Sequence, residues 1–372
     1  MTDIPPDVTL TDLMTSQIET VKQTFNRSAL EEDLAVDFTV TAQPDGLFTI
    51  TVHFSAKPTV PDTPGGESTS DTVTGGQPIN FIAGGRALTK AEFDQTIAAL
   101  DDPEPAMLWA LIKKESETLT GFLADRRPVI LYERHVFARQ SGHRFDASNP
   151  DISGPRYRAG EYGTLANQYR RLLQAMGLDR IAALKACSWG IGQTLGEGAT
   201  DIGYRSVETM VKQMIQSEGL QMHGVVAEIK EKNVVSAFKN KDFDTFARAY
   251  NGDTTGQYAQ ELEQDLHFFI TKGLPDLTVR TAQLYLTYFG NFSHPVDGVL
   301  GDLTRQSLLK FQAKTILPAS GKPDAATIAA LERHLFSSPS PGGQPVVNPD
   351  VVAEADTGTN RRPRASGGRR PG

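Results

Sequence analysis

Between residues 84 and 272, apolar residues recur every three or four positions, and one run after another opens on a side chain able to cap a helix. That period argues against a sheet-based body, because strands need alternation over two residues. Thr89 is placed to cap a helix running through Leu100. Pro105 suits the first turn of a second helix, 104–117, where an N–H would have no partner anyway. Thr164 opens a helix with Leu165, Tyr169, Leu172, Leu173 and Met176 on one face. Ser206 opens another with Val207, Met210, Val211, Met214 and Ile215, which Gly219 is expected to close. Residues 119–135 break the pattern and are β-branched near Val129 and Ile130, which predicts a short hairpin or wedge. The expected fold class is therefore mainly α, an α+β body in which helix dominates.

The flanks differ in composition. Residues 1–57 read as a small α/β module, a helix followed by a hairpin. There Phe38 and Val40 alternate with polar residues, as do Phe48, Ile50, Val52 and Phe54, and Pro44-Asp45-Gly46 supplies the turn. Residues 58–83 are rich in Pro, Gly, Ser and Thr and read as a flexible linker before the helical region 84–272. Residues 277–336 form a compact unit with short helices expected near 278–289, 302–314 and 324–335. The tail 337–372 is Pro- and Gly-rich, has five Arg in its last twelve residues, and is expected to be disordered.

Composition removes several function classes. A formal net charge of −8 argues against general nucleic-acid binding. Residues 1–57 hold nine acidic against three basic side chains, which makes them a poor grip on an anionic surface. No window is apolar for long enough to predict membrane insertion. The acidic, proline-bearing N-terminus does not resemble a secretory signal peptide. Cys187 stands alone, so no internal disulfide is available, and its apolar neighbours mark it as a small buried hydrophobe. The seven His show no metal-ligand spacing, and nothing calls for a cofactor.

One helix carries the chemistry. On 104–117, Leu108, Leu111, Ile112 and Glu115 share a face, so an apolar stripe ends in a carboxyl group at the helix C-terminus. Burial and the negative end of the helix dipole both disfavour the charged carboxylate, as a general acid at neutral pH requires. The competing reading is an ordinary helix-end glutamate paired with a lysine. Glu117, about 200° further round the helix, is the weaker candidate.

Three motifs follow in order. They are Glu115-Ser116, then Gly190-Ile191-Gly192-Gln193, then Ala249-Tyr250-Asn251-Gly252. This order resembles the goose-type lysozyme and lytic transglycosylase superfamily. The runs Gly121–Pro128 and Ile130–Phe137 narrow it to a resemblance to the phage-type N-acetylmuramidases, over about residues 87–265. Gly192 stands where that family usually has a bulky residue, and the stretch after Gly252 looks shortened. The resemblance implies a lysozyme-like catalytic domain with a small β wedge. It also implies hydrolysis of the β-1,4 bond between N-acetylmuramic acid and N-acetylglucosamine, with Glu115 as proton donor. Glu133 and Asp125, flanking the expected wedge, are the candidates for a second carboxylate that activates water or stabilises the cationic transition state. Their plainer readings are an ion pair with arginine and a turn residue. Ser116, Gln193, Tyr250, Asn251 and His135 are the expected substrate-binding residues, although Tyr250 and His135 also suit a packed core.

The unit 277–336 carries a second resemblance. Val279, Gln283 and Leu286, then Val296–Gly301 and Thr304, then Phe311-Gln312, and later Gly321, Asp324, Thr327, Ile328 and Leu331 look like the three-helix peptidoglycan-binding domain. Tethering such a module raises an enzyme's effective concentration at an insoluble substrate. Peptidoglycan is thus the expected partner.

The main rival is a lytic transglycosylase, which uses the same acid but closes a 1,6-anhydro ring and needs no second carboxylate. A non-catalytic wall-binding protein is the further alternative. Without a leader, the chain would reach the wall as an endolysin through a holin or as a toxin from a secretion machine. In the second case residues 1–57 would dock a delivery partner.

Overall fold

The computed structural model describes residues 34–42, 48–56, 79–116, 118–157, 161–290 and 295–336. The expected N-terminal helix, most of the linker, Glu117 and the tail lie outside the described residues. The chain divides into two units. In the first, strands β1 (Leu34–Ala42) and β2 (Phe48–Ala56) form the expected antiparallel hairpin. Its register sets Val36, Phe38 and Val40 opposite Phe54, Val52 and Ile50.

The second unit holds thirteen helices among its described residues. They are α1 (Lys90–Ala99), α2 (Pro105–Ser116), α3 (Arg134–Gln140), α4 (Leu165–Leu178), α5 (Arg180–Lys185), α6 (Val207–Gln216), α7 (Glu218–Glu231), α8 (Val235–Lys239), α9 (Phe243–Tyr250), α10 (Gln257–Lys272), α11 (Leu277–Tyr288), α12 (Asp302–Lys314) and α13 (Ala325–Phe336). A three-stranded antiparallel sheet, β3 (Ile130–Tyr132), β4 (Cys187–Trp189) and β5 (Thr194–Leu195), completes it. The fold is mainly α with one small sheet.

Capping explains the helix starts. Thr89 forms a full capping box with Glu92, and the hydroxyls of Thr164 and Ser206 accept from Asn167 and Thr209. Two local expectations are corrected. Gly219 does not close a helix: Ser217 ends α6 and caps α7, and Gly219 lies in the first turn of α7. A Cβ there would fall 2.2 Å from the carboxyl carbon of Glu92, so a larger residue would have to displace that side chain from its capping box. Leu173, placed on the buried face of α4, is 49% exposed, and Ala175 takes the buried position beside Leu172.

The helical region has two cores. The first gathers α1, α2 and α7–α10 around Trp109 and Phe246, and the second gathers α3–α6 and the sheet around Tyr132 and Trp189. Residues 79–83, expected at the end of the linker, pack onto the second core, with the Phe81 ring stacked on Trp189 at 6.1 Å. The expected short wedge is present as a tight turn closed by an antiparallel bridge between Phe122 and Pro128. The strand β3 that follows it pairs with β4, more than fifty residues later. A third core joins α11–α13 to Ala87 and Phe122.

Candidate active site

Helix α2 is buried on every side, not along one stripe: Met107, Leu108, Trp109, Ala110, Leu111 and Ile112 are each at most 1% exposed. Such a helix has one position in which its apolar surface is satisfied, which fixes whatever stands at its end. Glu115 stands there, half-buried. Lys113 and Lys114, just before it, pair across to α10, with Asp265 and Glu261 respectively. Glu115 Oε1 accepts a hydrogen bond of 2.6 Å from the Tyr258 hydroxyl.

Sequence reasoning missed Tyr258. It is the second residue of α10, 7% exposed, with the Lys114 ammonium 5.0 Å from its ring centroid. Its backbone is fixed by Asp253. The capping position of α10 is Gly256, which has no side chain, so Asp253 reaches over from the preceding turn. One Asp253 oxygen accepts from the N–H and hydroxyl of Thr255, and the other accepts from the N–H of Tyr258 at 2.9 Å. Burial opposes ionisation of Asp253, but these donors outweigh it and hold its carboxyl below the usual range. A signal was available in the sequence: Tyr258, Leu262, Leu266 and Phe269 form one helical stripe that begins with a polar-tipped aromatic.

The neighbouring Ser116 is fully buried, and its hydroxyl donates to the Ile112 carbonyl at 2.8 Å. It closes the helix end.

Glu133 comes from the other core. It follows β3, sits at the N-terminus of α3 and is 4% exposed. Its Oε2 accepts from the Tyr162 hydroxyl at 2.8 Å, and His135 Nδ1 lies 3.3 Å from the same oxygen, outside hydrogen-bonding geometry. Arg156 Nη2 lies 3.4 Å from the other His135 nitrogen. Burial and the Glu133 charge push the Tyr162 phenol up, so it remains a donor at any working pH. Asp125, by contrast, is held in its turn: one oxygen accepts from the Arg127 N–H at 3.1 Å and the other from the Arg127 guanidinium at 2.6 and 2.7 Å.

The glycine-glutamine segment crosses between cores, with Trp189 in the second and Ile191 in the first. Gly190 and Gln193 both have positive φ, 74° and 50°. Gln193 is 5% exposed, and its side-chain N–H groups donate to the carbonyls of Gly190 at 2.7 Å and Val129 at 3.4 Å, so it ties the turn to the start of β3. The absence of a bulky residue at Gly192 has a direct cause: a Cβ would meet Val225 Cγ2 at 2.0 Å. Tyr250 is 2% exposed with its ring stacked on Phe246 at 4.7 Å, and Asn251 ends α9 at 8% exposure.

The described residues thus form a mainly helical, lysozyme-like body followed by a three-helix unit. Residues 104–269 match the N-acetylmuramidase family and residues 276–331 match the peptidoglycan binding domain family. The chain belongs to the N-acetylmuramidase family and is a peptidoglycan-degrading enzyme with a C-terminal peptidoglycan-binding domain. It is similar to a solved structure described as that of the Burkholderia AP3 phage endolysin, at 32% identity over 50% of this chain and 72% of that chain, with a TM-score of 0.44. No curated protein matches the chain. Among the described residues, no helix is long and apolar enough to cross a membrane.

Proposed function

We propose that the enzyme hydrolyses the β-1,4 bond between N-acetylmuramic acid and N-acetylglucosamine, with Glu115 protonating the leaving oxygen. The observation that carries this reading is the Tyr258–Glu115 hydrogen bond at the end of a fully buried helix. The phenol donates to Oε1 and so holds the carboxyl group in one orientation at the helix end. Of the two candidates for the second carboxylate, Glu133 is the better supported, because Arg127 engages both oxygens of Asp125. Glu133 would activate water or stabilise the developing positive charge. Gln193, Tyr250, Asn251 and His135 would then shape the sugar site, with Gln193 acting through the turn it holds.

Peptidoglycan is the proposed substrate, reached after release through a holin or delivery by a secretion machine. The test is clearing of purified peptidoglycan by wild type and Glu115→Gln, with product masses. Loss of a general acid lowers the rate by roughly 100- to 10,000-fold. Reducing-end muramic acid supports hydrolysis; 1,6-anhydro products refute it and assign a lytic transglycosylase. Wild-type rates in the glutamine variant remove Glu115 from the chemistry.

A further inference from the structure

A guanidinium from the wall-binding domain is built into the segment that leaves the catalytic helix. Arg280, on α11, is fully buried, and so is Glu218 at the start of α7. The two meet side by side, Nη1 to Oε2 at 2.6 Å and Nη2 to Oε1 at 2.7 Å. Arg280 Nε and Nη2 both donate to the carbonyl of Leu119. Its carbon centre lies 5.7 Å from the ring of Trp109, on α2 itself. Glu218 completes the arrangement. Its Oε1 also accepts from Gly121 N–H at 2.8 Å and Thr120 Oγ1 at 3.1 Å, and its Oε2 accepts from Leu88 N–H at 2.8 Å.

Residues 119–121 follow closely on the end of α2, and all three are held by this pair. Leu119 is a non-glycine residue at φ 55°, a conformation that persists only where the surroundings impose it. Gly121 has no room to move, since a Cβ would fall 1.8 Å from Gln221 Oε1. A buried ion pair is a weak source of stability, but a strong selector of one arrangement, because any other arrangement leaves a charge buried alone.

We infer that Arg280 is a positioning residue for the reaction: the wall-binding domain is not a tethered anchor but a structural part of the catalytic centre, and its Arg280–Glu218 pair sets the exit of the helix that presents Glu115. This rests on the reading of Glu115 as the acid.

The experiment compares wild type with Arg280→Lys and Glu218→Gln in the full chain. Turnover and KM are measured on short soluble glycan strands from peptidoglycan, and binding on intact sacculi. Lysine is a single point donor and does not span both carboxylate oxygens and the Leu119 carbonyl. The expected result for both variants is a cooperative melt, retained sacculus binding, kcat lowered at least tenfold and KM within twofold. Gln312→Ala is the control. Gln312 is fully buried within the wall-binding domain and bonds Gly321, Lys322, Ser320 and Thr327, away from the Leu119 segment. It is expected to lower the melting temperature and leave kcat on soluble strands unchanged.

Wild-type kcat in Arg280→Lys overturns the inference. So does an equal kcat loss in Gln312→Ala, and so does failure of both pair variants to fold, since each makes Arg280 scaffold alone. Whether the wild type releases glycan products tests the underlying reading; the ratio of variant to wild type tests Arg280.

Discussion

Tyr258→Phe removes one oxygen and leaves the ring in its packed site on α10. The ring is 7% exposed, so the phenylalanine fills the same space and the stability change is small. What is lost is the 2.6 Å donation to Glu115 Oε1. Hydrogen bonds to charged groups contribute about 1.5–3 kcal/mol, the case of the carboxylate that forms as Glu115 gives up its proton, and each 1.4 kcal/mol is about tenfold in rate. If the bond holds the carboxyl in its reactive orientation, that energy appears in kcat, giving a loss of roughly 10- to 100-fold. KM stays near wild type, because the hydroxyl holds the acid rather than the sugar. The assay is release of reducing ends from soluble glycan strands, with melting temperature measured in parallel. A kcat within twofold of wild type would refute the reasoning. A loss of kcat matched by a large fall in melting temperature would refute it too, by showing that the hydroxyl serves the fold.

Two further outcomes follow from the packing and the charges. Gly192→Ala forces a methyl against Val225 and is expected to destabilise by about 1–3 kcal/mol, while the double variant with Val225→Ala recovers part of that loss; strictly additive melting shifts would show that Val225 is not the obstacle. Burial opposes ionisation of Glu218, but Arg280 outweighs it and holds the Glu218 carboxyl below the usual range. A depressed folded value contributes stability that is present above the unfolded value, near 4.3, and is lost as pH falls through the folded value. Urea midpoints of the wild type are therefore expected to fall on acidification below about pH 4.3, with a shallower fall in Glu218→Gln; parallel curves would contradict the assignment.

Local signals made much of the fold readable. Thr89, Thr164 and Ser206 cap the helices they were expected to cap, because a hydroxyl reaching the third N–H is an interaction within four residues. The three short helices of the wall-binding domain fall within a residue or two of expectation for similar reasons. Misreadings arose where a distant contact decided the outcome. Gly219 looked like a helix stop, but it lies inside the first turn of α7, against the Glu92 carboxyl of another helix. Val129 and Ile130 signalled a strand without naming a partner, and the partner lay in β4. Glu115 drew notice as a candidate because a carboxyl at the end of an apolar run is a local anomaly. Tyr258 was harder to find: an aromatic on a buried stripe is usual, and only its hydroxyl makes it informative. Arg280 gave no signal at all, since an arginine in a short helix reads as a solvated side chain until Glu218 is seen opposite.

The contacts that surround the proposed acid come from far apart in the chain. Tyr258 stands 143 residues beyond Glu115, and Arg280 stands 161 beyond Leu119. Neither contact exists until α10 and α11 have docked. A chain folded only as far as α9 would therefore carry Glu115 on a helix lacking its largest packing partner, α10, and with its exit unpinned. If Arg280 positions the proposed acid, activity is expected only once the wall-binding domain is in place. The coupling also changes how the second domain raises the rate. A flexible tether raises local concentration and leaves turnover alone. A docked domain sharing a buried ion pair with the catalytic body acts on turnover as well, even on substrates too short to reach the wall-binding surface. Soluble strands separate these two contributions, because they remove the concentration effect and leave the positional one.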